Sequence, residues 1–347
     1  MKIDIIGWYN QGNVGDEAFA IVMPQIFAGH DIRLITPNGG PKQPYPDAVV
    51  LGGGAVVSPF YLKMLPPDCP RYAIGIDISY ESEIDLLAQY NFQGVWVRNK
   101  TDLPALQEKL KCPVYYMPDL AFAIKRPLIN KLPAGMAEFL SGNRSHKRVG
   151  ILATDYISPA LDRPIDEFAP RHWSFITNLA NKLDWLIDNK WDVFLIPCAT
   201  AGYGDDRRMN ANLAAFMRHK EKVIQIHEAM DPPTMIEFLA QMDLNVCLRF
   251  HSHIFSIMAG TPFVSIEFTR KVDLFLKEND RLNTKCAKFY GNNFDTGSFK
   301  ATVEYILGQQ HGPGYKQLAK NNLMLLETFF FPHIRKLVLS ENPTEPV

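Results

Sequence analysis

The chain has 347 residues, 47% hydrophobic and 21% charged, with a formal net charge of −1. That length exceeds the usual size of one core and suits two domains. The near-neutral balance excludes a global field for nucleic acid or an anionic membrane surface, so any anionic ligand has to be held by local cations.

The N-terminus, MKIDIIGWYNQGNVGDE, soon turns polar and lacks the apolar stretch of a signal peptide. No run approaches the ~18 apolar residues of a membrane span, so a cytoplasmic protein without a transmembrane segment is expected. Cys69, Cys112, Cys198, Cys247 and Cys286 make no metal-ligand spacing, which fits a reducing compartment and no required metal.

Along the chain, Ile3 to Gly7 reads as a buried strand, followed by helical spacing at Ala18, Ile21, Val22 and Ile26. Strands are predicted at Ile32 to Ile35, Ala48 to Leu51 (running into Gly52, Gly53 and Gly54), Tyr72 to Ile76 and Gly94 to Val97. Ser82 to Tyr90 reads as a helix between the last two. The pattern restarts after Lys125 to Lys147. Strands fall at Val149 to Ala153, Val193 to Pro197, Lys222 to Ile226, Leu244 to Leu248 and Phe263 to Ile266. Helices alternate with them at Ser174 to Asp188, Asn210 to Arg218, Pro232 to Met242 and Ile254 to Ala259. Short continuous apolar strands alternating with helices predict parallel sheets covered on both faces. The fold class is α/β, as two Rossmann-like domains facing across a cleft, 1–135 and 146–312. A helical segment, 313–347, is expected to reach back to the first domain. Such pairs bind ligand between the halves, beyond the carboxyl ends of the strands.

In GWYNQGNVGDEAF, Gly12 and Gly15 allow tight backbone geometry, while Asn13 and Asp16 hydrogen-bond locally, Asp16 near a helix N-cap. The loop is neither a dinucleotide fingerprint nor a P-loop. Gly53 and Gly54 let a ligand or a neighbouring loop approach the backbone. Arg98 ends a strand, with Thr101 or Asp102 as the cap of the next helix. Asp119 is open between turn residue and site carboxylate.

LRFHSHIFSIMAGTPFVSIEF, Leu248 to Phe268, puts Arg249, His251 and His253 into an apolar run where a strand gives way to a helix. Arg249 stays charged and demands an anionic partner or several acceptors. With His251 and Ser252 at a helix N-terminus it suits phosphate or carboxylate. The competing reading is a structural Arg–carboxylate pair with His253 packed on the helix.

Taken in order, GNVGDE (Gly12 to Glu17), LGGG (Leu51 to Gly54), VRNKT (Val97 to Thr101), PDLAF (Pro118 to Phe122) and RFHSHIFSIMAGTPFVSIEFTRK (Arg249 to Lys271) resemble the polysaccharide pyruvyl transferase family over roughly Ile3 to Val272. The resemblance implies a GT-B-like fold and transfer of the pyruvyl unit of phosphoenolpyruvate to a sugar, closing a ketal and releasing phosphate. It implies phosphoenolpyruvate as co-substrate without another cofactor, and a glycan or glycan precursor as acceptor. Arg249, Ser252 and Lys271 would then bind the donor. His251 would donate a proton or bind the departing phosphate, and Asp16 would bind or deprotonate the acceptor hydroxyl. Gly12, Asn13, Gly15, Gly53, Gly54 and Arg98 would line the cleft on the acceptor side. Trp8 and Tyr9 offer rings for a sugar, with core packing the expected use of at least one. Phe250, Asn99 and Glu267 depart from the family pattern, and Thr154-Asp155 replaces an arginine for which Arg163 or Arg171 would substitute. The alternatives are a nucleotide-sugar glycosyltransferase with the same two-domain shell, or a non-catalytic glycan- or nucleotide-binding protein.

Overall fold

The computed structural model describes residues 1–37, 39, 45–125, 132, 136–137, 140, 144–154, 165–267, 269–279, 285–288, 296–309 and 311–340, without the side chains of 165–171, 203, 267, 285–288 and 296–298. Asp155 and Arg163 lie outside the described residues, as do the side chains of Arg171 and Glu267.

The expected pair of α/β lobes is present, each built on a six-stranded parallel sheet. The first holds β1 (Lys2–Ile6), β2 (Asp31–Ile35), β3 (Ala48–Gly54), β4 (Arg71–Ile76), β5 (Phe92–Val97) and β6 (Val114–Tyr116), in the order β2-β1-β3-β4-β5-β6. The second holds β7 (Lys147–Leu152), β8 (Trp191–Leu195), β9 (Ile224–Gln225), β10 (Leu244–Cys247), β11 (Phe263–Glu267) and β12 (Lys285–Lys288), in the order β12-β11-β10-β7-β8-β9. Strand order reverses between β1 and β3 in one sheet and between β7 and β10 in the other. Crevices at the carboxyl ends of strands open at such reversals. The loops after β1, β3 and β10 carry most of the motifs singled out above.

The strands are apolar because both faces are covered: every residue of β3 is buried, its three glycines included. Helix α1 (Val14–Ile26) is capped by Asn13, whose side chain accepts from the Gly15 N–H. It buries Val14, Ala18, Phe19, Val22, Met23 and Ile26. The helix after β10 runs Phe250–Ala259, starting a turn earlier than its apolar spacing indicates. Arg249 is its N-cap, and Gly260 ends it in the left-handed region at φ 76°.

Neither Thr101 nor Asp102 caps the helix Leu103–Lys109 through its side chain. Asp102 instead pairs with Arg270 of the second lobe at 2.6 Å, and Glu278 of that lobe accepts from the Lys100 N–H at 2.7 Å. The helical stretch 311–339 returns to the first lobe. Tyr72 Oη donates to the Leu337 carbonyl at 3.1 Å, Arg335 donates to the Ile26 carbonyl, and His333 meets the Tyr115 ring edge-on at 4.7 Å between centroids. Among the described residues no helix is long and apolar enough to cross a membrane.

Candidate active site

The two lobes are joined at the loop after β1. Val14 N–H donates to the Cys198 carbonyl at 2.8 Å, and Thr200 N–H donates to the Gly12 carbonyl at 2.9 Å. Beside this junction lies a cavity of about 260 Å³, lined from the first lobe by Trp8, Asp16, Gly54, Val56 and Tyr61 and from the second by Arg249, His251 and Lys271. Asn13, Gly15 and Arg98 also line it, whereas the expected Gly12 and Gly53 do not: Gly12 lies against Thr200 and Ala201, and Gly53 against the Phe19 ring.

Arg249 is not an open receptor, and that expectation is corrected. Its Nε and Nη2 donate to Asp206, the closest contact 2.7 Å, and Nη2 also donates to the Gly204 carbonyl at 2.6 Å. Asp206 is fully buried and accepts in addition from the N–H groups of Cys198 and Ala199. Only Nη1 is left without a hydrogen bond among the described residues. The structural Arg–carboxylate pair is therefore real, yet the cavity remains beside it.

Arg98 is held in the same manner, buried between Asp119 at 2.5 Å and Asp77 at 3.2 Å, with its guanidinium 4.6 Å from the Phe250 ring centroid. Asn99 donates to Asp77 at 2.8 Å, so the amide found there supports the same carboxylate. Asp119 resolves as both of its readings. Its Oδ1 accepts from the Ala121 N–H at 2.8 Å while its Oδ2 takes Arg98 and lies 3.6 Å from His251 Nε2. Burial works to raise its carboxyl pKa, but Arg98 and then His251 outweigh that and hold it well below the usual range.

His251 Nε2 is buried without a hydrogen bond, and Phe19, Phe250 and Phe255 surround the ring. Its Nδ1 lies against Gly15, where a Cβ would come within 2.0 Å of it. That contact explains the glycine before Asp16: any side chain would drive the ring from its place. His253 is core, its Nδ1 facing the Arg249 carbonyl and its Nε2 the Ser265 hydroxyl at 2.8 Å, and burial lowers its pKa to about 4.

Two charged side chains of the lining, Asp16 and Lys271, have no hydrogen bond or ion pair among the described residues. Burial raises the Asp16 carboxyl pKa, against the pull of His251, Lys271, Arg98 and Arg249. Burial likewise lowers that of Lys271, against Asp77. Ser252 departs from its expected role: its hydroxyl turns back onto the Arg249 carbonyl at 2.5 Å and does not line the cavity. Asp206, Asp77 and Tyr61 are the members that motif reading missed. Asp206 follows Asp205 at a helix start, and Asp205 supplies the cap, which hides the second acid's purpose. Among the described residues no group of three or more His, Cys, Asp or Glu is placed to hold a metal ion.

Residues 13–268 match the family model of polysaccharide pyruvyl transferases. The chain belongs to that family. The family makes it a glycan-modifying enzyme, and the match spans both lobes of the cavity. Among solved structures it is similar to S. aureus MnaA determined with UDP, with a TM-score of 0.65 and 11% identity over 99% of this chain and 98% of that one. Similar too are sucrose-phosphate synthase from Thermosynechococcus elongatus (0.60, 11%, 97% and 98%) and UDP-GlcNAc 2-epimerase from Methanocaldococcus jannaschii (0.59, 11%, 92% and 99%). At such identities the likeness shows the GT-B-like fold alone. No curated protein matches the chain. Within this pyruvyl transferase family member, the late block places Arg249, His251 and Lys271 in one wall, and the GNVGDE loop places Asp16 opposite them.

Proposed function

We propose that this protein transfers the pyruvyl group of phosphoenolpyruvate to two hydroxyls of a sugar in a glycan or glycan precursor, closing a ketal and releasing phosphate. The observation that carries the reading is the pair of unpartnered opposite charges, Asp16 and Lys271, beside His251 in one cavity. Both are half-buried, and charges withdrawn from water are normally paired, so two left open in one cavity point to partners that arrive with substrate. The cavity size supports a small donor, since 260 Å³ falls below the roughly 300–1,000 Å³ of drug-sized sites and is short for a whole nucleotide sugar.

In this reading Lys271 and the free Nη1 edge of Arg249 grip the carboxylate and phosphate of the donor. Protonated His251, faced from behind by Asp119, gives its proton to C3 as C2 becomes cationic. The first sugar hydroxyl adds to C2 and its proton passes to Asp16, whose raised pKa makes it a stronger base than an ordinary carboxylate. The C2–oxygen bond to phosphate breaks and the second hydroxyl closes the ketal. Its proton balances the released phosphate, while the proton on Asp16 restores His251.

The test is a thermal-shift comparison of phosphoenolpyruvate with a panel of nucleotide sugars, followed by mass spectrometry of candidate glycans incubated with phosphoenolpyruvate. A higher melting temperature with phosphoenolpyruvate and a glycan mass gain of one ketal-linked pyruvate are expected. Stabilisation by nucleotide sugars alone would transfer the assignment to a glycosyltransferase.

A further inference from the structure

The lobes also meet away from the loop after β1. The helix Arg270–Glu278 of the second lobe touches the first lobe at both of its ends. At its start, Arg270 Nη1 donates to the Ile78 carbonyl at 2.7 Å and Nη2 to Asp102 at 2.6 Å. At its end, Glu278 Oε1 accepts from the N–H groups of Lys100 and Thr101, at 2.7 and 3.3 Å. From this we infer that Arg270 and Glu278 are positioning residues: by fastening both ends of one helix to the opposite lobe, they set Lys271 Nζ in the cavity.

Glu278 supplies what the first lobe lacks. The segment Lys100–Asp102 leads into the helix Leu103–Lys109, and neither Asn99 nor Asp102 caps these turns with its side chain. Asn99 is drawn to Asp77 instead. A helix start leaves N–H groups without partners and favours a carboxylate. Here the carboxylate comes from the other lobe. Asp102 is buried, and among the described residues its one hydrogen bond comes from Arg270. A buried acid is costly without its cation, so charge holds the lobes together at this end.

Lys271 stands between the two fastenings and has no direct partner of its own. The helix buries Val272, Leu274 and Leu276 and sets Phe275 edge-on to the Phe250 ring at 5.5 Å. Lys271 Nζ lies 5.8 Å from the centroid of that same ring. Arg270 and Glu278 are about 12 Å apart along the helix axis, and a helix held at both points cannot pivot. Freed at either end, it can turn on its apolar face and carry the lysine with it. The Gly12 and Cys198 contacts between the lobes are untouched by such a change, which keeps Asp16 opposite His251.

The test has a labelling arm and a kinetic arm, and only the kinetic arm rests on the transfer reading above. Acetylation of Lys271 by acetic anhydride, followed across pH by peptide mass spectrometry on the full chain, gives the midpoint at which its amine loses a proton. The variants are Arg270→Ala, Arg270→Lys and Glu278→Ala, each first checked for cooperative unfolding. Lys277→Ala is the control, since Lys277 pairs with Asp273 on an exposed part of the same helix. In the wild type burial holds the Lys271 pKa below the usual lysine value; Asp77 and Asp16 oppose it, and Arg98 and Arg249 reinforce it. A lysine released toward water regains its ordinary pKa. The midpoint should therefore rise in Arg270→Ala and Glu278→Ala, return toward the wild type in Arg270→Lys, and stay in place in Lys277→Ala. Removing the negative charge of Glu278 would by itself lower the midpoint, so a rise there reports movement. The KM for phosphoenolpyruvate should increase about tenfold in Arg270→Ala with kcat within about threefold, as when a binding group shifts and the reacting groups do not. A midpoint unchanged in both alanine variants, or lowered in Glu278→Ala, overturns the inference. If the midpoint rises and no ketal forms from phosphoenolpyruvate, the transfer reading falls and the positioning stands. If transfer proceeds and the midpoint does not move, the positioning alone falls.

Discussion

Replacing Asp206 tests how the site is built. This carboxylate is fully buried and accepts from Cys198 N–H at 3.0 Å, Ala199 N–H at 2.9 Å and Arg249 at 2.7 Å. Asp206→Ala strands two backbone donors, each costing about 1–3 kcal/mol. It also leaves a guanidinium without its anion, a break that costs about 3–5 kcal/mol when fully buried. The Arg249 side chain is 23% exposed and borders the cavity, so water recovers part of that penalty. These losses share partners and do not add, which puts the whole at about 3–5 kcal/mol. Taking ~2–4 °C per kcal/mol, the melting temperature falls by roughly 10 °C. Asp206→Asn keeps the shape and one acceptor oxygen, so a loss of about 1–2 kcal/mol is expected. The same loop carries the Cys198 and Thr200 contacts to the first lobe, so the Asn variant should show weaker donor binding as well as a lower melting point. Scanning fluorimetry and steady-state kinetics on both variants provide the assay. A loss under about 1 kcal/mol in Asp206→Ala, with the donor KM unchanged, would refute the claim that this acid holds Arg249 and the inter-lobe junction together.

Gly15→Ala should cut turnover by about 100-fold or more, because the new Cβ lands 2.0 Å from His251 Nδ1 and displaces a proposed general acid. Wild-type turnover in this variant would remove His251 from the chemistry. Asp16→Asn should abolish transfer while raising the melting temperature by a few degrees at neutral pH. A carboxylate whose folded pKa is raised destabilises the fold once ionised, so the gain should shrink as pH falls below that raised pKa and be gone below the usual carboxylate range; calorimetry at two pH values checks it. Activity should rise with pH as Asp16 ionises and fall again, below the usual lysine range, as Lys271 with its lowered pKa loses its proton. Lys271→Arg should move only the alkaline limb upward, and a limb that stays in place would exclude Lys271 as the group titrating there.

The sheets were legible because each strand is covered on both faces and so reads as an unbroken apolar run, as in Ala48 to Leu51 and Leu244 to Cys247. Shorter or more polar elements, Val114–Tyr116, Arg270–Glu278 and Lys285–Lys288, gave no such signal. The site was legible only in part. Glycine and the late block's Arg, His and Lys announce themselves locally, but their partners do not. Asp206 lies 43 positions from Arg249, and Asp77 and Asp119 lie on either side of Arg98 with 21 positions separating Arg98 from Asp119. Only the strand order brings them together. For that reason Arg249 reads from sequence as a receptor awaiting a ligand, when its acid is already supplied by the start of the helix that follows β8.

The charges around the cavity bear on how a multiply anionic donor is held. Arg98, Arg249 and Lys271 face Asp16, Asp77, Asp119 and Asp206, three cations against four carboxylates, so the empty site carries one net negative charge when His251 is neutral. Three of the carboxylates are tied to the two arginines and cannot move away. A dianion entering such a ring meets repulsion from Asp16, the one carboxylate of the four that no arginine holds. Asp16→Asn should therefore bind phosphoenolpyruvate more tightly than the wild type while failing to transfer it, because the same charge that repels the donor is the one that receives the acceptor proton. Titration calorimetry of phosphoenolpyruvate against both proteins checks it. An affinity that is unchanged or weaker in Asp16→Asn would mean that the fixed cations alone set the field the donor meets, and Asp16 would lose its place beside it.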